Sequence, residues 1–363
     1  MAGDAYRLDQ CALYKVRSKT RLAEILHVSV PVLLAFEKSS SYKVFQLPEQ
    51  ICEFTGKVTK ARQVEEPKRV LKGLHERIRD LLARVCHPDY AHAAIKGRSY
   101  RSNAEFHKNS DVVATFHVKK FYPSTSEDAV FLFFLHQLKC APDIAGLLSR
   151  LVCFRKVPDK LGCLPTGSPL SPLLSIYANK PMFDALAKLA QENGMKFTCY
   201  VDDLTFSGAR IPIGLERRVT SIVKSHGHKM ADEKTKIFGK NVPKHITGVV
   251  VHAGKVAVPF GRFRKARNIE RAISAAPDKA EKIRLMQKLS GLLGEAAYLD
   301  TNYKAWATKS YRRLAFMRAT PVVTFTGVPM ERQFLATGTD GSTDTLVPLP
   351  GPTPEGEGVA PWE

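Results

Sequence analysis

The stretch CYVDDLTFSG, residues 199–208, sets two adjacent carboxylates between β-forming residues. This pattern predicts a β-hairpin with Asp202 and Asp203 at its tip. Neighbouring like charges repel each other, and the pKa of one carboxyl rises unless a cation neutralises the pair. Because Mg²⁺ takes oxygen ligands, the pair predicts a metal site. The alternative is an ordinary hairpin turn that carries two solvated acids.

A glycine turn precedes a helical pattern in LPTGSPLSPLLS, residues 164–175. Gly167 and Ser168 lie between prolines, where glycine lets the backbone approach a ligand and the helix start offers free N–H groups. Further along, Lys234 in ADEKTKIFG can supply a cation near a phosphate. A plain helix start and a surface lysine are the alternatives for these two features.

The charge of the chain points to a polyanion as its partner. Lys and Arg total 55 against 35 Asp and Glu, which gives a formal charge of +20 over 363 residues. The excess is spread along the chain, as in proteins that bind nucleic acid. The alternatives are a ribosome-associated protein or a basic surface that serves only solubility.

The cysteines and the hydropathy exclude several classes of protein. The seven cysteines form no C-x-x-C pair, so they predict buried thiols in a reducing cytoplasm rather than a zinc site. The first twenty residues carry charges and no apolar signal core, and no apolar run is long enough to span a membrane. We therefore expect a soluble, cytoplasmic protein without a membrane partner.

The hydrophobic periodicity predicts an α+β fold. Two short helices are expected in 20–37, a hairpin arm in 57–68 and an amphipathic helix in 71–86. Strands are expected at 111–121, 197–207 and 246–258, and helical stretches at 126–139, 144–153, 172–192, 213–226 and 263–318. The Pro- and Gly-rich residues 335–363 predict a flexible or partner-docked tail.

The order of the motifs resembles that of the retron-type reverse transcriptases. FHVKKFYPS, LPTGSPLSP, YVDD, EKT and ITGVVV follow one another like motifs A to E of that family. NAEFH at 103–107 and ITG at 246–248 are similar to two elements of its retron branch. The resemblance covers about residues 20 to 315. It implies a right-hand polymerase: an N-terminal helical cap 1–44, fingers 45–110, a palm with an antiparallel sheet 111–255, a helical thumb 256–318 and a C-terminal tail 319–363.

The resemblance also implies an activity and its partners. It implies an RNA-directed DNA polymerase that copies a cognate structured non-coding RNA into branched, RNA-linked single-stranded DNA, in defence against phage. The implied cofactors are two Mg²⁺ ions, with Mn²⁺ as a possible substitute. The implied partners are deoxynucleoside triphosphates, the non-coding RNA with its RNA–DNA product, and an effector or toxin protein.

Three sets of site residues follow from the resemblance. Asp202 and Asp203 hold the metal and, with residue 117, form the catalytic set. The nucleotide-binding set is Lys57, Lys60, Arg62, Lys68, Phe121, Tyr122, Gly167, Ser168 and Lys234. The RNA- and DNA-binding set is Asn103, His107, Tyr200, Thr247, Gly248, Arg264, Lys265, Arg267 and Arg271.

Some members of these sets have a structural alternative. Phe121 and His107 can be core residues, and the basic residues after 263 can form a solvated face. Thr166 stands where the family commonly has a glutamine before the glycine, so nucleotide discrimination is expected to differ.

His117 falls where the family carries the motif A aspartate. An imidazole is a neutral nitrogen ligand and suits Mg²⁺ poorly. Asp111 cannot replace the missing acid, because six residues of extended strand put it about 20 Å away. Three interpretations are open: a substitution that disables catalysis, a natural polymerase with a reduced metal site, or a catalytically impaired RNA-binding scaffold for an effector.

Overall fold

The computed structural model describes residues 5–38, 41–156 and 162–319. The predicted tail, apart from Ala319, lies outside the described residues. The helices and the small antiparallel sheets confirm the α+β class. In the part of the chain that is described, no helix has the length and apolar character needed to cross a membrane.

The chain begins with a 3-10 turn, Leu8–Gln10, and two short helices, α1 (Lys19–Leu26) and α2 (Val30–Lys38). The Ser18 side chain caps α1 by accepting a hydrogen bond from Arg21 N. His27, the residue after the last turn of α1, is left-handed with φ 58°. Pro31 lies in the first turn of α2, where backbone N–H groups have no acceptor within the helix, so the N–H that proline lacks costs no hydrogen bond. The two predicted helices are confirmed.

A nested hairpin, which we call the arm (residues 42–67), follows. Its strands are β1 (Tyr42–Leu47), β2 (Gln50–Ile51), β3 (Val58–Thr59) and β4 (Arg62–Pro67). β1 pairs with β4 and β2 with β3, so the turn lies at 52–57. The hairpin predicted inside 57–68 is therefore wrong in its pairing. Gly56 permits the turn at 52–57 because it has φ 66°, a conformation that favours glycine. Most side chains of the arm strands are exposed, so burial of one face does little to fix the register in which these strands pair.

The segment after the arm contains α3 (Arg69–Leu82) and α4 (Tyr100–Phe106). Leu71, Leu74 and Ile78 form the buried stripe of α3, as helical spacing predicts. The helix predicted over 71–86 is confirmed, although it ends at Leu82. Ser99 caps α4, and its bonds with Ser102 form a capping box.

A four-stranded antiparallel sheet, the central sheet, lies in the middle of the described residues. Its strands are β5 (Val112–His117), β6 (Lys196–Tyr200), β7 (Asp203–Gly208) and β8 (Lys236–Phe238), in the order β6-β7-β5-β8. β6 and β7 form the hairpin predicted around CYVDDLTFSG, joined by Val201 and Asp202. The strand predicted over 111–121 ends at His117, and the chain turns before α5, where Lys120 is left-handed with φ 50°.

The helices between and after these strands are α5 (Phe121–Ser124), α6 (Glu127–Leu132), α7 (Pro142–Val152), α8 (Ser171–Ala178), α9 (Lys180–Glu192) and α10 (Leu215–Ser225). A π-helical turn, Phe133–Gln137, follows α6, and a 3-10 turn, Asp232–Lys234, precedes β8. These elements share one apolar core with the sheet, in which Phe116, Phe183 and Phe206 are fully buried. The predicted helix 172–192 is broken at Asn179, whose amide is bonded to Thr125.

The last part of the described chain is a small sheet followed by three helices. The strands are β9 (Lys244–Ile246), β10 (Val249–His252) and β11 (Lys255–Ala257), and the helices are α11 (Phe260–Ala275), α12 (Lys279–Leu299) and α13 (Lys304–Ala319), with a 3-10 turn at Thr301–Tyr303. The single strand predicted over 246–258 is thus wrong. Thr247–Gly248 and Ala253–Gly254 all have positive φ, as in two-residue hairpin turns.

Candidate active site

Three residues of the predicted catalytic set meet at one end of the central sheet. His117 is the last residue of β5 and is the cross-strand partner of Asp203, the first residue of β7. Asp202 lies in the turn before Asp203, where Val201 has φ 59°. The Val118 N–H donates to the Asp202 carbonyl over 2.9 Å and ties this turn to the end of β5. We call His117, Asp202 and Asp203 the His–Asp–Asp group.

The imidazole of His117 lies between the two carboxylates. Its Nδ1 is 2.8 Å from Asp203 Oδ1, and its Nε2 is 3.1 Å from Asp202 Oδ2. One ligand atom from each residue lies within 4.8 Å of the other two, so the group can hold a metal ion. All three side chains are half-buried, open enough for an ion or a substrate to enter.

Lys234 also reaches this group, although it follows His117 by 117 positions. Its Nζ lies 3.0 Å from His117 Nε2. The 3-10 turn that carries Lys234 is held by the Ala231 N–H, which donates to the His117 carbonyl over 2.8 Å. Asp111 lies at the other end of β5 and faces Lys240 Nζ at 3.4 Å, so it takes no part in the group.

The electrostatics of the group reflect two acids that share one imidazole. The hydrogen bond to Asp203 raises the pKa of His117 most, burial opposes this, and the charges of both carboxylates add to the rise. Burial raises the pKa of the Asp202 carboxyl, which the nearby imidazole partly offsets. Nearby positive charge, from the imidazole and from Lys234, favours the ionised form of Asp202 against the cost of burial.

Two predicted tyrosines lie beside the acids. Burial raises the pKa of the Tyr122 hydroxyl, and the charge of Asp202 adds to the effect. Burial also raises the pKa of Tyr200, with Asp203 as a second cause. Phe121, by contrast, is buried against Phe183, so the structure supports its alternative interpretation as a core residue.

The glycine turn is docked on the arm. The Gly167 N–H donates to the Glu65 carbonyl over 3.1 Å, and a Cβ on Gly167 would lie only 2.7 Å from that oxygen. Ser168 is buried, and its Oγ lies 2.7 Å from His75 Nδ1. The close backbone approach predicted at Gly167 is therefore made to a strand of the protein, and nucleotide binding by Gly167 and Ser168 stays a prediction.

Sequence reasoning missed the partner of this turn, Glu65. Its buried carboxylate accepts hydrogen bonds from Thr166 N at 3.0 Å and Thr166 Oγ1 at 2.7 Å. These bonds hold the pKa of Glu65 below its usual value against the cost of burial. The signal in the sequence that could have indicated this contact is Thr166, which stands where the family commonly has glutamine. Its consequence is a fixed contact between the arm and the turn.

The predicted cations of the arm are Lys57, Lys60, Arg62 and Lys68, and all four are exposed. They stand along β3, β4 and the start of α3. An exposed cluster of this kind can meet a polyanion, but the structure brings none of the four into the His–Asp–Asp group through a hydrogen bond or an ion pair of the described residues.

The NAEFH and ITG elements contact each other. Asn103 Nδ2 donates to Thr247 Oγ1 over 3.3 Å, and Thr247 Oγ1 donates to the Tyr100 carbonyl. His107 is fully buried, with its ring nitrogens 2.7 Å from Ser207 Oγ and from Thr198 Oγ1.

Burial lowers the pKa of His107 to about 3. Asn103 and His107 are both buried in the protein, and the RNA contact expected of them stays a prediction. The structure supports the core alternative, because their polar groups are enclosed by the central sheet and the β9–β10 turn. Gly248, with φ 78°, completes that turn.

The basic residues of α11 are arranged along its surface. Arg264, Arg267 and Arg271 are exposed, and the guanidinium of Arg267 lies 5.9 Å from the centre of the Phe263 ring. Lys265 is half-buried and lines a cleft between α11, α12 and the tip of the arm. Asn268 of α11 donates to the Phe54 carbonyl over 2.8 Å and so links this helix to the tip of the arm.

Comparison with known proteins finds several curated relatives. Retron Se72 reverse transcriptase of Salmonella heidelberg is 30% identical over 190 residues, which are 52% of this chain and 47% of that protein. Retron Ec86 reverse transcriptase of Escherichia coli is 24% identical over 73% of this chain and 80% of its own length. Retron Mx162 reverse transcriptase of Myxococcus xanthus is 27% identical over 66% and 54%.

The match therefore spans about half the length of the Se72 and Mx162 proteins and most of the Ec86 protein. No family model matches the chain.

Proposed function

This chain is related in sequence to the retron reverse transcriptases, as its motifs predict, and we propose that it is an RNA-directed DNA polymerase. Its substrate is a cognate structured non-coding RNA, which it copies into branched, RNA-linked single-stranded DNA. The observation that carries the proposal is the placement of Asp202 and Asp203 at the tip of the β6–β7 hairpin against the end of β5. Metal-assisted phosphoryl transfer needs acids clustered at the metal; here the hairpin supplies both acids, and the separate strand β5 supplies His117.

The right-hand architecture belongs to this proposal. The arm from residue 45 onward and α3 then form the fingers within 45–110, the central sheet the palm within 111–255, and helices α11 to α13 the thumb within 256–318. The N-terminal helices within 1–44 form a cap. The thumb is supported by a second apolar core, in which Ile269, Leu289 and Leu293 are buried; β9, β10, Ala104 and Val113, from outside the thumb range, also contribute to this core.

The residues of this chain can divide the work of binding. Lys234 stands at the site and can meet the triphosphate, with the exposed arm cations as further contacts. Tyr122 lies near the sugar of the incoming nucleotide and Tyr200 near the primer end. The exposed arginines of α11 follow the phosphates of the RNA or its DNA product.

The metal expected from the resemblance fits only in part. Two carboxylates and one imidazole form the group, and the imidazole fills the space between the acids. These ligands suit one divalent ion and do not suit the two Mg²⁺ ions expected, because one oxygen ligand is replaced by nitrogen. We therefore assign the chain a single ion site.

The test is the nucleic acid that the full chain carries in its native host. Purification followed by sequencing should recover one structured RNA joined to DNA, and RNase should shorten the joined species. The Asp202→Asn variant should carry the same RNA without DNA. Recovery of unlinked cellular RNA with no preferred species would overturn the proposal. In phage challenge, cells with the intact locus should survive and cells with Asp202→Asn should not.

A second function is favoured by the state of the His–Asp–Asp group. The imidazole and Lys234 can neutralise the two acids without any metal. The chain would then be a catalytically impaired RNA-binding scaffold that holds an effector or toxin in the cytoplasm. This function predicts RNA without linked DNA in the complex purified with the unchanged chain.

A further inference from the structure

We propose that the His–Asp–Asp group binds one transition-metal ion of the Mn²⁺, Co²⁺ and Zn²⁺ class in preference to Mg²⁺. This inference deepens the proposed function and rests on it, because it concerns the same site. It starts from the residue that departs from the family pattern, His117, and from the contacts that orient its ring.

Asp203 positions the imidazole. A carboxylate accepts hydrogen bonds only and an ammonium donates only, so the 2.8 Å contact of Nδ1 with Asp203 Oδ1 and the 3.0 Å contact of Nε2 with Lys234 Nζ together place the proton of the neutral ring on Nδ1. The lone pair of Nε2 is then directed away from Asp203. A carboxylate bonded to the far nitrogen of a histidine is the usual companion of a metal-binding imidazole, since it fixes the ring and strengthens Nε2 as a ligand.

The space in front of Nε2 already attracts a cation. Asp202 Oδ2 is 3.1 Å from Nε2, and Lys234 Nζ is 3.0 Å from it. An ammonium donates to a lone pair, which is the contact that a metal ion makes with the same atom. Lys234 is exposed on its turn, so its side chain can leave when an ion enters.

The ligand atoms select the ion. One imidazole nitrogen with carboxylate oxygens suits manganese, cobalt, zinc and their neighbours, whereas Mg²⁺ demands oxygen ligands and keeps its water. For nitrogen and oxygen ligands affinity increases from Mn²⁺ through Co²⁺ to later ions of the series. The departure from the family pattern at position 117 is therefore expected to change the metal rather than to abolish binding.

Electron paramagnetic resonance of Mn²⁺ provides a test that needs no activity. The full chain, freed of metal and nucleic acid, is titrated with Mn²⁺ alone. We expect one bound Mn²⁺ ion per chain and a nitrogen coupling in the pulsed spectrum. Displacing half of the bound Mn²⁺ should take an excess of Mg²⁺ on the order of tenfold or more. Lys234→Gln should raise the Mn²⁺ affinity several-fold, because it removes the competing cation.

Two substitutions at position 117 separate the outcomes. His117→Asp should keep a bound ion, lose the nitrogen coupling and let Mg²⁺ compete at equal concentration. His117→Gln should lose the coupling and weaken Mn²⁺ binding. Asp111→Asn, on the same strand but paired with Lys240, is the matched control and should bind like the unchanged chain.

The inference is overturned if the unchanged chain shows no nitrogen coupling, or if Mg²⁺ displaces Mn²⁺ at equal concentration. Either result means that the ring serves only to pair with the acids. RNA-linked DNA recovered from the host would in that case still support the proposed function. If the chain binds a nitrogen-coupled Mn²⁺ ion but never yields DNA in the host, the metal site is supported and the proposed polymerase function is overturned.

Discussion

His117 and Asp203 face each other across strands β5 and β7, and Nδ1 of the first lies 2.8 Å from Oδ1 of the second. Position 117 is thus part of the acid cluster in space, as counting back from Phe121 and Tyr122 predicts. The residue at this position determines both the charge and the ligand type of the site, so its substitution should have a large and specific effect.

The substitution His117→Asp should raise Mg²⁺-dependent DNA synthesis on the cognate RNA by about 10² to 10³, the usual effect of a group that stabilises charge in a transition state. It restores an oxygen ligand on the same strand position. Primer extension by both forms across Mg²⁺ and Mn²⁺ concentrations is the measurement, with Asp111→Asn as control. Equal rates for the two forms would show that residue 117 is outside the metal site.

The substitution Asp202→Asn should abolish nucleotide incorporation, a loss of at least about 10². Asn keeps the size of the side chain but removes the charge that holds a cation, so RNA binding should survive. Incorporation is measured by primer extension, and copurified RNA reports that the variant folds. If incorporation persists in this variant, the catalytic assignment of the β6–β7 hairpin is incorrect.

RNA binding should weaken steeply with salt, because the positive charge of the chain releases counterions from the phosphates. Replacing Arg264, Arg267 and Arg271 one at a time by Gln should lower the slope of log affinity against log salt by about 0.7 to 1 for each phosphate that the variant no longer neutralises. Arg21→Gln, an exposed residue of α1 paired with Glu24, is the matched control. Affinity that stays constant from low to moderate salt contradicts the prediction.

His107 should make the fold sensitive to acid. The pKa of His107 in the fold is about 3 against an ordinary 6.5, so the unfolded chain binds a proton more readily between these values. The contribution of the neutral His107 to the free energy of unfolding is complete above about pH 6.5, and roughly 3 kcal/mol of it is lost by pH 4. The His107→Gln variant should lose less stability over this interval.

Urea unfolding at pH 7, 5.5 and 4.5 measures the difference between the two forms. His226→Gln is the matched control, because the His226 side chain is exposed. If the free energy of unfolding falls equally with pH in His107→Gln and in the unchanged chain, His107 is not the group that makes the fold sensitive to acid.

The local patterns of the sequence predict much of the secondary structure. The CYVDDLTFSG hairpin, the apolar stripe of α3 and the pair α1 and α2 follow from periodicity and turn-forming residues that lie close together in the chain. The predictions that were wrong involve pairing between segments. The register of the arm depends on the turn at 52–57, and the break of 246–258 into three strands depends on the turns at Thr247–Gly248 and Ala253–Gly254.

The acid pair, the position of His117 in its motif and the basic character of the chain are all readable from the residue order, because each depends on near neighbours or on composition. The contacts that give the site its chemistry are not readable in this way. His117 meets Lys234 across 117 positions, and Glu65 meets Thr166 across 101. Burial of His107 likewise depends on two strands that follow it by about a hundred residues. Such contacts arise only when distant segments pack, since no local pattern specifies which polar atoms a fold will enclose together.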